Sequence, residues 1–247
     1  MTNIRQYLDS TYLKTAAQAG LTADENKEVV KAFVNEAISE NFKLVMLRPD
    51  YVSMAKAMVS AAGSNVAIGT VVDFPEGRGG LERKLSDAAK SIADGADELD
   101  FVCDYESFKN GDAETVKQEI LECTHLCLSH LKIVKWIIET AALDGQQIAQ
   151  LSAFIKHIIL SNFTEDSYAS VFIKSSTGFY KTENNRPNGA TMDSIILMLE
   201  NASPLPVKAA GGVRTYEEAV EMINLGVKRI GTSAAKAIAA GEPNNDY

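Results

Sequence analysis

Three lysines stand inside short apolar runs: Lys135 in Lys132–Ile138, Lys174 at the end of Ser170–Lys174, and Lys208 in Leu205–Ala209. A lysine is almost never fully buried unless it is paired, because an isolated charge is costly to take out of water. One such lysine alone reads as an amphipathic side chain that reaches back to solvent. Three of them, with Asp100 in the run Gly95–Val102, read as a charge cluster sharing one site. The chemistry open to it is attack of an amine on a carbonyl. A free lysine titrates near ~10.4 and is almost wholly protonated at neutral pH. A second cation close by, together with partial loss of solvent, lowers that value and frees the nucleophile. Lys174 and Lys208, on neighbouring strands, suit these two roles. The resulting imine withdraws electrons, so a carbon–carbon bond two atoms away can break or form. Asp100 can pass protons through water and orient Lys208.

Two turns offer an anion site beside this cluster. Gly211-Gly212 follows the Lys208 run, and glycines let backbone N–H groups approach an anion closely. Gly231-Thr232-Ser233 follows the run Lys228–Gly231 and leads into a helix read as Ser233–Ala240, whose N-terminus favours negative charge.

The elements that must hold these residues alternate along the chain. Strand candidates are Tyr7–Leu13, Lys43–Leu47, Val66–Val72, Glu98–Cys103, Lys132–Ile138, Ser170–Lys174, Leu205–Ala209 and Lys228–Gly231. Most lack strict alternation, as strands covered on both faces do. Between them lie amphipathic stretches at Ala23–Glu40, Tyr51–Ala62, Leu81–Ala93, Ala113–Ser129, Gly145–Leu160, Met192–Asn201 and Tyr216–Leu225. Thr22 is the expected N-cap of the first, with Glu25 completing a capping box. Eight βα units in 247 residues predict a single (β/α)8 TIM barrel over 1–247, a fold that takes about 250 residues. A doubly wound open sheet is the alternative, less favoured because no glycine-rich dinucleotide fingerprint follows the first strand. In a barrel the working residues sit at the C-terminal strand ends, where Asp9, Thr11, Glu139, Thr140 and Thr177-Gly178 also fall.

Composition excludes several classes. A formal net charge of −9 speaks against nucleic acid as a partner, though not against a small phosphorylated substrate held in a local positive pocket. No apolar run approaches a membrane span, and no signal peptide is seen, so no membrane partner is expected. Cys103, Cys123 and Cys127 form no CxxC pair and read as buried residues of a protein kept in a reducing, cytoplasmic compartment. His125, His130 and His157 fall in helical stretches, so no metal and no other cofactor is expected.

These segments closely resemble the class I deoxyribose-phosphate aldolases, over nearly the whole chain. The resemblance is carried by Tyr7-Leu8-Asp9-Ser10-Thr11, Thr70 to Pro75, Gly95 to Val102, Ile137 to Thr140, Ile173 to Gly178, Val207 to Thr215 and Arg229 to Ser233. It implies a metal-independent barrel that reversibly cleaves 2-deoxy-D-ribose 5-phosphate into D-glyceraldehyde 3-phosphate and acetaldehyde. It puts Lys174 at the Schiff-base position, Lys208 at that of the pKa-lowering lysine, and Asp100 at that of the proton relay. Asp9 and Lys135 match supporting polar positions at the barrel mouth, and with Thr11 they are expected to bind substrate. Thr177, Gly178, Gly211, Gly212 and Ser233 match positions that hold the sugar phosphate and hydroxyls. Met46 stands where many relatives have Cys, and Asp73 where Gly or Asn is usual. The segment Phe179–Asn188, with Lys181 and Arg186, is longer and more polar than in many relatives. Residues 241–247 read as a mobile tail. Some members of the resembled family end in a tyrosine that assists proton transfer, which gives Tyr247 that expected role. For assembly the expectation goes no further than a homodimer. Competing readings are a related lysine aldolase or transaldolase acting on another sugar phosphate, and a barrel that binds a phosphorylated ligand without catalysis.

Overall fold

The computed structural model describes residues 3–183 and 187–241. Among them eight parallel strands close into one barrel in chain order, the last pairing with the first. The strands are β1 (Leu8–Tyr12), β2 (Leu44–Leu47), β3 (Ala67–Val72), β4 (Glu98–Val102), β5 (Ile133–Ile137), β6 (Val171–Lys174), β7 (Val207–Ala210) and β8 (Arg229–Thr232). The helices that follow are α1 (Ala16–Ala19), α2 (Ala23–Glu40), α3 (Val52–Ala61), α4 (Leu81–Ala93), α5 (Tyr105–Lys109), α6 (Ala113–Ser129), α7 (Gly145–Asn162), α8 (Met192–Ala202), α9 (Tyr216–Leu225) and α10 (Ala235–Ala240). The predicted TIM barrel is therefore present, and the open sheet is not.

Strand parity sorts side chains between the barrel interior and the helix layer. On β5, Trp136 turns outward, stacks on Phe101 at 5.1 Å and donates to Thr124 on α6. Its neighbour Lys135 therefore turns inward. On β4, Leu99 and Phe101 alternate with Glu98 and Asp100, so the two acids share the interior. Helix starts are fixed by caps. Thr22 and Glu25 form the expected capping box, and Asp144 with Gln147, Thr191 with Ser194 and Thr215 with Glu218 repeat the device.

Several boundaries differ from the sequence reading. Pro206 has no N–H to give the ladder, so β7 begins at Val207. The last helix begins at Ala235, which leaves Ser233 in the turn after β8. The short helices α1 and α5 fill connections that the sequence left without an element. The cysteines are buried, and burial pushes the Cys103 and Cys127 thiols up to about 12, where thiolate chemistry is unavailable at neutral pH. Among the described residues, no helix is long and apolar enough to cross a membrane.

Candidate active site

Register brings the chemistry together. Lys174, Lys208 and Arg229 face one another across β6, β7 and β8, while Asp100 faces Lys135 across β4 and β5. Their side chains converge inside the barrel as a closed circuit. Lys135 Nζ donates to Asp100 Oδ1 at 2.6 Å and lies 2.7 Å from Glu98 Oε2. Glu98 Oε1 accepts from Arg229 Nη1 at 3.0 Å. Arg229 Nε and Nη2 donate to Asp9 Oδ1 at 2.7 and 2.5 Å. Asp9 Oδ2 lies 2.6 Å from Lys208 Nζ, which donates to Asp100 Oδ2 at 2.9 Å. Three carboxylates thus alternate with three cations in a buried ring. Lys174 joins from the cavity side, donating to the same Asp100 Oδ2 at 2.9 Å.

The proton affinities follow from this geometry. Burial opposes ionisation of Asp100, but Lys135, Lys174 and Lys208 together outweigh it and hold the carboxyl well below the usual range. Asp9 is lowered in the same way, against burial, by Arg229 and Lys208. Lys135 is raised despite burial, chiefly by Asp100 and Glu98. Lys174 moves the other way, to about 8: burial is the larger cause, and the Lys208 charge adds to it against the pull of Asp100. The Lys208 charge works in the lowering direction, but desolvation does more. Asp100 is thus the shared acceptor of the three amines.

Above Lys174 opens a cavity of about 360 Å³. Thr11, Lys174, Thr177, Gly178, Gly211, Gly212 and Ser233 all line it. Lys208, Asp100, Asp9 and Lys135 do not; they are fully buried beneath Lys174. The expectation that Asp9 and Lys135 meet substrate directly is corrected accordingly, because their charged ends are taken up by ion pairs of the ring. Lys14, Asn188 and Arg214 also line the cavity and were missed, although Arg214 follows the Gly-Gly turn by two residues. Glu98 and Arg229 were missed as site residues too; their signal was inward parity on strands that already carried charged neighbours.

The wall of the cavity is built by close backbone contacts. Gly211 and Gly212 sit at φ +86° and +88°, in the region that excludes most side chains. Ala190 N–H donates to Gly211 O at 2.8 Å, and a Cβ on Gly211 would meet Gly189 Cα at 2.9 Å. Across the site, the buried Glu139 carboxyl binds Ser176 Oγ and the N–H and hydroxyl of Thr177, fixing the turn after Lys174. Ser176 Oγ also lies 3.0 Å from Asn188 O, an acceptor only. The Ser176 hydroxyl thus ties the Glu139 carboxyl to the segment that carries Asn188. Burial raises the Glu139 carboxyl above its ordinary value.

The positions that depart from the resembled pattern have structural places. Asp73 adopts φ +54° and accepts from Gly79 N–H at 2.7 Å, a conformation open to Gly, Asn and Asp. Met46 is buried against Leu13, Leu44 and Val71. Phe179 meets Phe74 edge-on at 5.1 Å beneath the Arg48 guanidinium. Lys181 is exposed. Arg186 and the tail residues 242–247, including Tyr247, lie outside the described residues.

A buried amine poised near neutral pH beneath a cavity walled by glycine turns defines a barrel equipped for imine chemistry on a carbonyl compound bearing an anion. The comparisons narrow this class. Residues 13–241 match the family model described as DeoC/LacD family aldolase, and the chain belongs to that family. It is 35% identical over 242 residues to the deoxyribose-phosphate aldolase of Thermococcus kodakarensis, covering 98% of this chain and 97% of the other. It is 34% identical to that of Lactiplantibacillus plantarum, over 95% of this chain and 98% of the other. Among solved structures, "QR15, an Aldolase" aligns with a TM-score of 0.80 at 29% identity, over 97% of this chain and 96% of that one. The "unique tetrameric structure of deoxyribose phosphate aldolase from Aeropyrum pernix" aligns at 0.78 and 27% identity, over 96% and 89%.

Proposed function

We propose that this protein is a Schiff-base aldolase that reversibly cleaves 2-deoxy-D-ribose 5-phosphate into D-glyceraldehyde 3-phosphate and acetaldehyde, with Lys174 as the imine-forming residue. The observation that carries the assignment is that Lys174 is the one amine of the buried cluster that also lines the cavity. At pH 7 an amine titrating at about 8 is neutral roughly 300 times more often than an ordinary lysine.

Neutral Lys174 attacks the aldehyde carbon of the open-chain sugar and water leaves, giving an iminium. Loss of the C3 hydroxyl proton then breaks the C2–C3 bond. The electron pair passes into the iminium as an enamine, and glyceraldehyde 3-phosphate departs. Protonation of the enamine carbon and hydrolysis release acetaldehyde and the free amine. Asp100 holds Lys174 and Lys208 at one oxygen, so the ammonium of Lys208 raises the share of Lys174 that is neutral and ready to attack. Backbone N–H groups around Gly211, Gly212 and Ser233, with the nearby Arg214, receive the phosphate. Thr11, Thr177 and Gly178 receive sugar hydroxyls. Tyr247 is assigned the proton transfer at the enamine carbon; Tyr247→Phe should slow exchange of acetaldehyde methyl protons with deuterated water while leaving imine formation intact.

The test of the main assignment is borohydride reduction in the presence of acetaldehyde, followed by peptide mapping. An adduct on the peptide carrying Lys174, absent in Lys174→Ala, is the expected result. Labelling elsewhere with an active Lys174→Ala would overturn it. The reading also carries a homodimer acting in the cytoplasm, supported by the three unpaired, buried cysteines for the compartment and tested by sedimentation for the assembly.

A further inference from the structure

The ring beneath Lys174 has a charge count that bears on the reaction. Its carboxylates are Asp100, Glu98 and Asp9; its cations are Lys135, Arg229 and Lys208. All six side chains are buried, so the ring is neutral by itself and the ammonium of Lys174 would be a fourth cation against three anions. A net charge in a buried cluster is costly, and release of one proton removes it. Four groups could release that proton. A guanidinium does not deprotonate in proteins. Lys135 touches two carboxylates, Asp100 and Glu98, and Lys208 touches two, Asp9 and Asp100. Lys174 touches Asp100 alone, through an oxygen it shares with Lys208. Lys174 is therefore the group that gives the proton up. Glu139, in the turn after β5, is bound by Ser176 and Thr177 and makes no ion pair with the ring among the described residues, so it stays outside this count.

We propose that Glu98 and Arg229, which touch no part of the cavity, are positioning residues for the reaction: by closing the ring they fix its charge at zero and so make the proton on Lys174 the surplus one. Glu98 opens β4 and Arg229 opens β8, so both lie at the deep ends of their strands. A purely structural polar layer would need the contacts but would not care about the sum of charges. The proposal requires the sum.

The inference rests on Lys174 being the imine-forming amine, and the experiment separates the two. The pH dependence of borohydride trapping with acetaldehyde is measured in single turnover, with peptide mapping of the adduct at each stage. Arg229→Met leaves the ring one negative charge in excess, so Lys174 keeps its proton and the acid limb moves to higher pH. Glu98→Gln leaves one positive charge in excess, so the limb moves to lower pH. Lys174 and Arg229 are in register two strands apart, about 10 Å at ~4.8 Å per strand, which corresponds to a shift of about one pH unit in a protein-like dielectric. The double variant restores the sum, and its limb should return to the wild-type position; Arg229→Lys should leave it there. Glu98→Gln decides the matter even where Arg229→Met does not fold, because mere loosening of the site admits water and would push Lys174 upward, opposite to the expected direction. A double variant that folds with a wild-type limb where a single variant does not fold also supports the charge count. A limb that stays in place or moves upward in Glu98→Gln, with the adduct still on Lys174, overturns this inference alone. An adduct on another residue overturns the assignment on which it rests.

Discussion

Replacement of Lys208 by Leu removes the cation nearest the proposed nucleophile. Both Nζ atoms lie 2.9 Å from Asp100 Oδ2, so they are separated by no more than twice that distance. Two unit charges at about 5 Å in an effective dielectric of about 20 repel by ~3 kcal/mol, equivalent to about two pH units. Burial, the larger cause of the depressed value, persists in the variant. Lys174 should therefore titrate about one to two units above its present value of about 8. Its ammonium then replaces the charge that Lys208 supplied to Asp100, so the barrel is expected to stay folded. The assay is the pH dependence of kcat/KM with the phosphorylated sugar, paired with trapping of the acetaldehyde imine. At pH 7 the rate should fall about 10- to 100-fold, with recovery toward wild type as pH is raised through the new value. A folded variant whose acid limb stays near pH 8, or whose activity falls equally at every pH, would refute the electrostatic argument.

Other substitutions test neighbouring parts of the site. Asp100→Asn takes away the acceptor of three ammonium groups and should destabilise the barrel by about 3–5 kcal/mol, read by urea unfolding. Because the folded carboxyl is held well below its unfolded value, that gap should be full above about pH 4 and shrink as pH falls through the folded value. Gly189→Ala places a Cβ 2.5 Å from the Gly211 backbone, so it should raise KM for the phosphorylated substrate roughly tenfold or more while leaving imine trapping with acetaldehyde unchanged. Glu139→Gln keeps an acceptor oxygen for Thr177 and removes the titratable group. Since burial raises the folded carboxyl above its ordinary value, wild type loses stability as pH rises through the folded value. The variant should match wild type at low pH and exceed it at neutral pH in thermal unfolding.

The sequence by itself determined the barrel, its strands and the three interior lysines. These are local signals: doubly covered strands are apolar along their whole length, and a lysine within one stands out against that background. Thr22 likewise marks a helix start within a few residues of chain. Gly211 and Gly212 were legible because their function is a backbone conformation that few other residues adopt. What the sequence did not determine is which charges meet. Asp9 and Arg229 are 220 positions apart, and Asp100 and Lys208 are 108 apart, yet each pair is in hydrogen-bond contact. Only closure of the sheet, with β8 against β1, sets those partners and thus the sum of charge beneath Lys174. The same closure places Asp9 and Lys135 below the cavity instead of in it, since depth in a barrel depends on strand stagger as well as on position along the strand. A side chain's type is written in the sequence; its proton affinity depends on how much solvent the fold removes and which charges it sets nearby, and both are decided in three dimensions.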